Sequence, residues 1–226
     1  MKKKFITAIL FLSALSAQAQ TITAHSGAYN TPDNSLEYVQ AAIEHQAEIL
    51  EIDIRMRPNG SIAMAHDEIK SNEEGTDIET VLRMVAEQSH AQINLDVKQT
   101  ATLPALHALI LKTGMKERVF LTGIEEQDTE AAKTDCPGIP YFLNCKPLSA
   151  TEIIPVLKRT GSIGVNCNYH YATPDLCEQL HQAGYQLSVW TVDQQEDMKR
   201  MLKLQPDNIT SRNPLEVIRL KKEKAY

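Results

Sequence analysis

Runs of β-forming residues alternate with helical stretches along most of the chain, and this alternation restricts the possible folds more than any other feature of the sequence. β-branched and aromatic residues predict strands at residues 21–24, 49–54, 62–65, 92–97, 118–122, 139–142, 162–166, 186–191 and 208–210. Apolar residues at helical spacing predict helices at residues 35–46, 77–89, 103–113, 125–134, 150–160, 174–183 and 193–204. Strands that alternate with helices in this way form parallel sheets through crossover connections.

The number of strands indicates which parallel fold forms. If residues 62–65 return beside the second strand after the turn at Asn59-Gly60, eight strands remain, the number that closes a (β/α)8 TIM-type barrel. An open doubly wound sheet is the alternative α/β fold, but no glycine-rich phosphate loop follows the first strand. We therefore predict one compact barrel domain over residues 20–226.

The first nineteen residues have the pattern of a signal peptide. Three lysines at positions 2–4 precede an apolar run over residues 5–17, and Ala17-Gln18-Ala19 supplies the small-x-small cleavage pattern. The run is too short for a permanent membrane span. We expect a protein exported to the periplasm or the extracellular space, with no stable membrane insertion after cleavage.

Charge and cysteine content narrow the possible partners. Loss of the three leader lysines changes the formal net charge from −6 to −9, which disfavours nonspecific nucleic-acid binding. Export would permit disulfides, and four cysteines allow three pairings, although free buried thiols explain them equally well. Their spacing matches no zinc site. They are Cys136, Cys145, Cys167 and Cys177.

Ionisable residues gather where predicted strands end. His25 closes the first strand, and Glu51 and Asp53 lie two residues apart on one face of a strand with apolar neighbours. Asp96 and Lys98 repeat this spacing on a later strand. Buried carboxylates on one face require a cation or basic groups to offset desolvation and repulsion.

Two interpretations of these charges remain open. Glu51, Asp53 and Asp96 together suit a hard divalent cation, and Lys98 suits a phosphate. Alternatively, Asp96 and Lys98 form a simple salt bridge, and the other two carboxylates pair with Arg55 or Arg57.

A second histidine favours the functional interpretation. The run that ends in His66-Asp67 brings His66 back towards the end of the second strand. Two histidines beside a metal can transfer protons in phosphodiester cleavage, one accepting a proton and the other donating one. We interpret the remaining histidines as structural; these are His45, His90, His107, His170 and His181.

In this order, the motifs resemble those of the glycerophosphodiester phosphodiesterase family. The similarity covers most of residues 20–226. It rests on His25-Ser26-Gly27, Pro32-Asp33-Asn34, Glu51-Ile52-Asp53, His66-Asp67, Asp96-Val97-Lys98, Trp190-Thr191-Val192 and the closing stretch Ile209-Thr210-Ser211-Arg212-Asn213-Pro214.

The resemblance implies an exported, metal-dependent phosphodiesterase that hydrolyses a glycerophosphodiester or a related lipid-derived diester to an alcohol and a phosphomonoester. It assigns Ca²⁺ or Mg²⁺ to Glu51, Asp53 and Asp96, and acid–base catalysis to His25 and His66. The substrate-binding residues would be Lys98 at the phosphate, Trp190 in the pocket wall and Ser26.

Departures from the family pattern support two alternatives. Ser26 replaces an arginine that can grip a phosphate with two hydrogen bonds, which suggests a phosphodiester-binding protein with weakened catalysis. Arg55, Arg57 or Arg212 is a candidate replacement. The insertion over residues 68–77 is shorter than is usual in the family, and the Asp96-x-Lys98 pattern also resembles sphingomyelinase D phospholipases.

Overall fold

The structure is a computed structural model that describes residues 20–146 and 149–226 of the 226-residue chain. The predicted signal peptide, residues 1–19, lies outside the described residues. The predicted domain over residues 20–226 is described except at positions 147 and 148.

Eight parallel strands form a closed barrel, which confirms the predicted (β/α)8 TIM-type architecture. These strands are β1 Thr21–Ala24, β2 Ile49–Met56, β5 Gln92–Val97, β6 Val119–Ile124, β7 Tyr141–Asn144, β8 Gly164–Asn168, β9 Gln186–Trp190 and β10 Asn208–Ser211. They follow one another around the barrel in this order, and β10 pairs with β1 to close it. The open doubly wound sheet is thereby excluded.

A small antiparallel extension follows the second barrel strand. β3 (Ile62–Met64) returns beside β2, with Ile54 opposite Met64, as the sequence predicted. β4 (Thr76–Asp77) then pairs with β3 and was not predicted, because two residues carry no readable alternation. This extension forms the short segment between the second strand and the next helix.

Eight helices surround the barrel in the described part of the chain. They are α1 Leu36–Glu44, α2 Ile78–Gln88, α3 Leu103–Lys112, α4 Thr129–Asp135, α5 Ala150–Thr160, α6 Pro174–Gln182, α7 Gln195–Leu204 and α8 Pro214–Glu223. Helix α8 was not predicted from the sequence. Its buried side chains include Val217 and Leu220 among many charged neighbours, so its apolar face is narrow.

The barrel strands separate an apolar layer, which lies between the strands and the helices, from a polar interior. On β2, Leu50 and Ile52 belong to the apolar layer that also contains Leu82 of α2. Inside the barrel, polar side chains bond to one another; for example, the Thr122 hydroxyl donates to Asn94 at 2.8 Å. The barrel interior near the carboxyl ends of the strands is therefore polar.

All four cysteines are free thiols, and three of them are buried.

No helix in residues 20–146 or 149–226 has the length and apolar character needed to cross a membrane.

Candidate active site

A cavity of about 620 Å³ opens at the carboxyl ends of the barrel strands. This is the end at which TIM-barrel enzymes carry their active sites. The predicted site residues in its wall are His25, Glu51, Asp53, His66, Asp96, Lys98 and Trp190. Ser26 is the predicted site residue that the structure does not place there.

The three predicted metal ligands converge in this cavity. One oxygen from each of Glu51, Asp53 and Asp96 lies within 4.8 Å of the other two. Asp53 and Asp96 are direct neighbours in the β2–β5 register. Side chains two residues apart share a face of a strand, so Glu51 points to the same side as Asp53.

Glu51 is held by hydrogen bonds from the loop after β1 and from helix α1. The Ser26 backbone N–H donates to Glu51 Oε2 at 3.0 Å, and the Glu51 N–H donates to the Tyr38 hydroxyl at 3.1 Å. Burial, followed by repulsion from Asp53 and Asp96, raises the pKa of Glu51 well above its usual range. A neighbouring cation would relieve this penalty.

Asp53 has its own support. The Asn34 side-chain amide donates to Asp53 Oδ2 at 2.8 Å, and Asn34 Oδ1 accepts the Asp53 N–H at 3.0 Å. Burial opposes ionisation of Asp53, but the nearby Lys98 ammonium and the Asn34 hydrogen bond hold its pKa below the usual value. Asp53 is therefore an ionised carboxylate.

Lys98 lies between two of the carboxylates. Its ammonium is 2.8 Å from Asp53 Oδ1 and 2.7 Å from Asp96 Oδ2. Burial disfavours its charge, yet Asp96 and Asp53 raise the pKa of Lys98 above its usual value. The predicted salt bridge between Asp96 and Lys98 is thus present within the proposed metal cluster.

The alternative pairing of Glu51 and Asp53 with Arg55 or Arg57 is not found. Arg55 donates to the His66 carbonyl at 2.7 Å. Arg57 is buried and donates to the Glu74 and Gly75 carbonyls at 2.8 and 2.6 Å. Both arginines stabilise the β3–β4 extension.

The donor set fits a hard divalent cation. Asp96 Oδ1 is buried and has no hydrogen-bond partner among the described residues. Burial raises the pKa of Asp96 despite the attraction of Lys98. An unpaired buried carboxylate oxygen is costly, and three carboxylates offer the oxygen ligands that Mg²⁺ and Ca²⁺ prefer. This cluster is able to hold a metal ion.

The two histidines differ in their surroundings. His25 is largely buried, and its Nδ1 lies 2.7 Å from the Ser26 carbonyl. Burial, opposed by this hydrogen bond, lowers the pKa of His25. His66 is mostly exposed, and its Nδ1 lies 2.9 Å from Asp67 Oδ1. Since carbonyl and carboxylate oxygens only accept, Nδ1 carries the proton in both rings and Nε2 is the reactive nitrogen.

Ser26 has a local structural role. Its side chain is buried, and its hydroxyl accepts the Asn34 N–H at 2.7 Å. Since Asn34 contacts Asp53, the Ser26 hydroxyl belongs to the support of the carboxylate cluster. Trp190, by contrast, ends β9 with a partly exposed indole in the cavity wall.

Tyr38 supports the site in a way that was not predicted from the sequence. Its hydroxyl donates to the Ala24 carbonyl at 2.6 Å while accepting the Glu51 N–H. β1 ends at Ala24 whereas β2 continues, so the hydroxyl bridges the place where the ladder stops. The helical spacing of Tyr38 signals burial but gives no indication of this polar contact.

The family of this chain follows from its similarity to known proteins. A sequence model of the glycerophosphoryl diester phosphodiesterase family matches residues 73–216, more than half of the chain. The chain belongs to this family. A glycerophosphoryl diester phosphodiesterase is a phosphoric diester hydrolase, which confirms the predicted enzyme class. The matched range includes Asp96, Lys98, Trp190 and Arg212.

Relatives of this phosphodiesterase extend the similarity over almost the whole chain. A glycerophosphodiester phosphodiesterase from Caldanaerobacter subterraneus is 24% identical over 88% of this chain and 96% of its own length. A solved glycerophosphodiester phosphodiesterase from Parabacteroides distasonis has a TM-score of 0.78 at 17% identity, covering 92% of this chain and 99% of the other.

A second similar solved structure contains a bound product. It is an Oleispira antarctica phosphodiesterase in complex with sn-glycerol-3-phosphate, with a TM-score of 0.76 and 14% identity over 89% of this chain and 96% of the other. At this identity the likeness establishes the shared fold.

Proposed function

We propose that this phosphodiesterase hydrolyses a glycerophosphodiester, or a related lipid-derived diester, to an alcohol and a phosphomonoester. The observation that carries this proposal is one cavity wall containing two histidines beside a cluster of three carboxylates. The product bound by the Oleispira antarctica relative is a phosphomonoester of the same class.

In this proposal His25 is the general base. Its Nδ1–H donates to the Ser26 carbonyl, so the unprotonated Nε2 is available to accept a proton. Burial lowers the pKa of His25, which favours the neutral ring. It would remove a proton from the attacking hydroxyl, which belongs either to water or to the substrate.

His66 is the general acid. Asp67 Oδ1 lies 2.9 Å from its Nδ1 and accepts that N–H, so a proton carried on Nε2 would be the one donated to the leaving alcohol. The exposure of His66 on the rim suits contact with a leaving group on its way to solvent. The pair thus supplies one proton and removes one in each turnover.

Glu51, Asp53 and Asp96 would hold one divalent cation, which we propose to be Ca²⁺ or Mg²⁺. When bound, such an ion stabilises negative charge on the phosphoryl oxygens. Lys98 places a second positive charge among these carboxylates, and Trp190 forms an apolar wall for the alcohol group. We also propose that the enzyme is exported, on the basis of the signal-peptide pattern in residues 1–19.

A diester panel tests the proposal. Purified protein is assayed with glycerophosphodiesters, lysophospholipids and sphingomyelin, with Ca²⁺ or Mg²⁺ and after treatment with EDTA. We expect turnover of a glycerophosphodiester that chelation abolishes and metal restores. Turnover that EDTA leaves unchanged would remove the metal assignment, and preference for sphingomyelin would favour the phospholipase alternative.

Histidine variants test the chemical roles. His25→Ala and His66→Ala should each lower kcat by about a hundredfold or more. His90→Ala is the matched control, because His90 is exposed and lies outside the cavity wall. Normal turnover in both active-site variants would refute acid–base catalysis. Thermal stabilisation by diesters without any turnover in the wild type would favour the binding-protein alternative.

A further inference from the structure

The cavity contains more negative than positive side chains. Five carboxylates line it, and Lys98 and Arg212 are the lysine and arginine residues in its described wall. The carboxylates are Glu51, Asp53, Asp96, Glu125 and Asp128. A phosphodiester is an anion, so a positive side chain in this wall that is able to turn towards it would add to the attraction of a bound metal ion.

Lys98 is already engaged. Its ammonium lies within 2.8 Å of carboxylate oxygens from both Asp53 and Asp96. Movement of Lys98 to a phosphate would first have to break both of these contacts. This contact pattern makes Lys98 part of the carboxylate cluster.

Arg212 is in a different situation. Its guanidinium makes one long ion pair, 3.6 Å from Asp193 Oδ2, and its side chain is 44% exposed. Each of the other seven arginines donates a guanidinium hydrogen bond to a described protein atom. Among the described residues, Arg212 is the arginine whose guanidinium donors remain available for a ligand.

Barrel closure places Arg212 beside His25. Ala24 of β1 is opposite Ser211 of β10, and the His25 N–H donates to the Ser211 carbonyl at 2.9 Å. The backbone of Arg212 is fixed in turn, because its N–H donates to Asp193 Oδ1 at 2.8 Å. The Arg212 backbone is therefore fixed next to His25, the proposed base, while its long side chain keeps guanidinium donors for a ligand.

We propose that Arg212 binds the anionic oxygens of the phosphodiester. A guanidinium presents paired N–H donors that match two oxygens of one phosphate. The buried Ser26 hydroxyl, which already accepts the Asn34 N–H, is not placed to make this contact. This inference rests on the proposed function, since it names the phosphate-binding residue of that site.

Arg212→Ala is compared with Arg200→Ala, a closely matched control. Arg200 has a side-chain exposure of 42% and an ion pair of 3.5 Å with Asp197, but it lies outside the cavity wall. The two readouts are calorimetric affinity for inorganic phosphate and steady-state hydrolysis of a diester, both with metal present. Arg212→Lys and Arg212→Gln provide further variants, and thermal unfolding checks that each protein is folded.

We expect Arg212→Ala to weaken phosphate binding and to lower kcat/KM by roughly ten- to a hundredfold, as for loss of a charge-assisted hydrogen bond. Arg200→Ala should remain within about twofold of the wild type on this scale. Arg212→Lys should retain part of the affinity, and added guanidinium ion at millimolar concentration should restore part of the Arg212→Ala activity.

Equal phosphate affinities for folded Arg212→Ala and Arg200→Ala would overturn the inference. The same holds if Arg212→Gln binds phosphate as tightly as the wild type. If the wild type binds phosphate through Arg212 but cleaves no diester, the proposed hydrolysis fails while the anion site stands. If the enzyme cleaves a diester and Arg212→Ala leaves this turnover unchanged, the proposed hydrolysis stands and the role of Arg212 in phosphate binding is refuted.

Discussion

Tyr38 connects helix α1 to strand β2, which carries Glu51 and Asp53, and its replacement by phenylalanine tests how the site is supported. The fully buried ring would keep its packing, but two hydrogen bonds would be lost. The Ala24 carbonyl would lose its donor and the Glu51 N–H its acceptor. Both groups lie where the β1–β2 ladder ends, so no neighbouring strand residue replaces the hydroxyl.

The size of the effect follows from these two buried groups. Leaving one buried backbone group unpaired costs about 1–3 kcal/mol. Because neighbouring atoms partly relax, we expect the two groups together to lower the free energy of unfolding by about 2–4 kcal/mol. For a domain of this size that corresponds to a decrease in Tm of about 5–15 °C. Since domains are typically stable by roughly 5–15 kcal/mol, the variant should still fold.

Urea unfolding measures this change. We expect a lower midpoint with an unchanged slope, because the surface exposed on unfolding stays the same. We also expect weaker binding of Ca²⁺ or Mg²⁺, since Glu51 loses one of its backbone anchors.

Tyr141→Phe is the matched control. Tyr141 is also buried, but its hydroxyl donates to the Thr160 carbonyl and lies outside the cavity wall. This control should be destabilised, through one unpaired carbonyl, without a change in metal affinity. A loss below about 0.5 kcal/mol for Tyr38→Phe, less than one net hydrogen bond, would refute the bridging role.

Two further predictions address other parts of the fold. Gly123→Ala should weaken metal binding more than Gly114→Ala: both glycines have positive φ, but only at Gly123 would a Cβ lie 2.4 Å from Asp96 Oδ1. Isothermal titration with Ca²⁺ or Mg²⁺ checks this, and equal affinities would contradict it. Burial raises the pKa of Cys136 to about 12 and that of Cys177 to about 11. Iodoacetamide at pH 8 should therefore modify both thiols at least a hundredfold more slowly in the native protein than in urea. Mass spectrometry measures the two rates, and similar rates would refute the burial of these thiols.

The sequence by itself predicted the barrel and seven of the residues that line the cavity at the carboxyl ends of its strands. Alternation along β2 placed Glu51 and Asp53 on one face, and the order of strands and helices implied that strand ends share one rim. These properties depend on periods of two and 3.6 residues, which short stretches of sequence express directly. The weak apolar face of α8 and the two-residue strand β4 lacked such a signal.

Contacts between distant segments were decided only by the tertiary structure. The position of Lys98 between Asp53 and Asp96, the burial of Ser26 and the place of Arg212 beside His25 all depend on how the barrel closes. Closure brings β10 to β1 across nearly two hundred residues. A residue's type and neighbours in sequence determine what it is able to bind, but the free energy of burial and pairing across the closed barrel determines which of those partners it has.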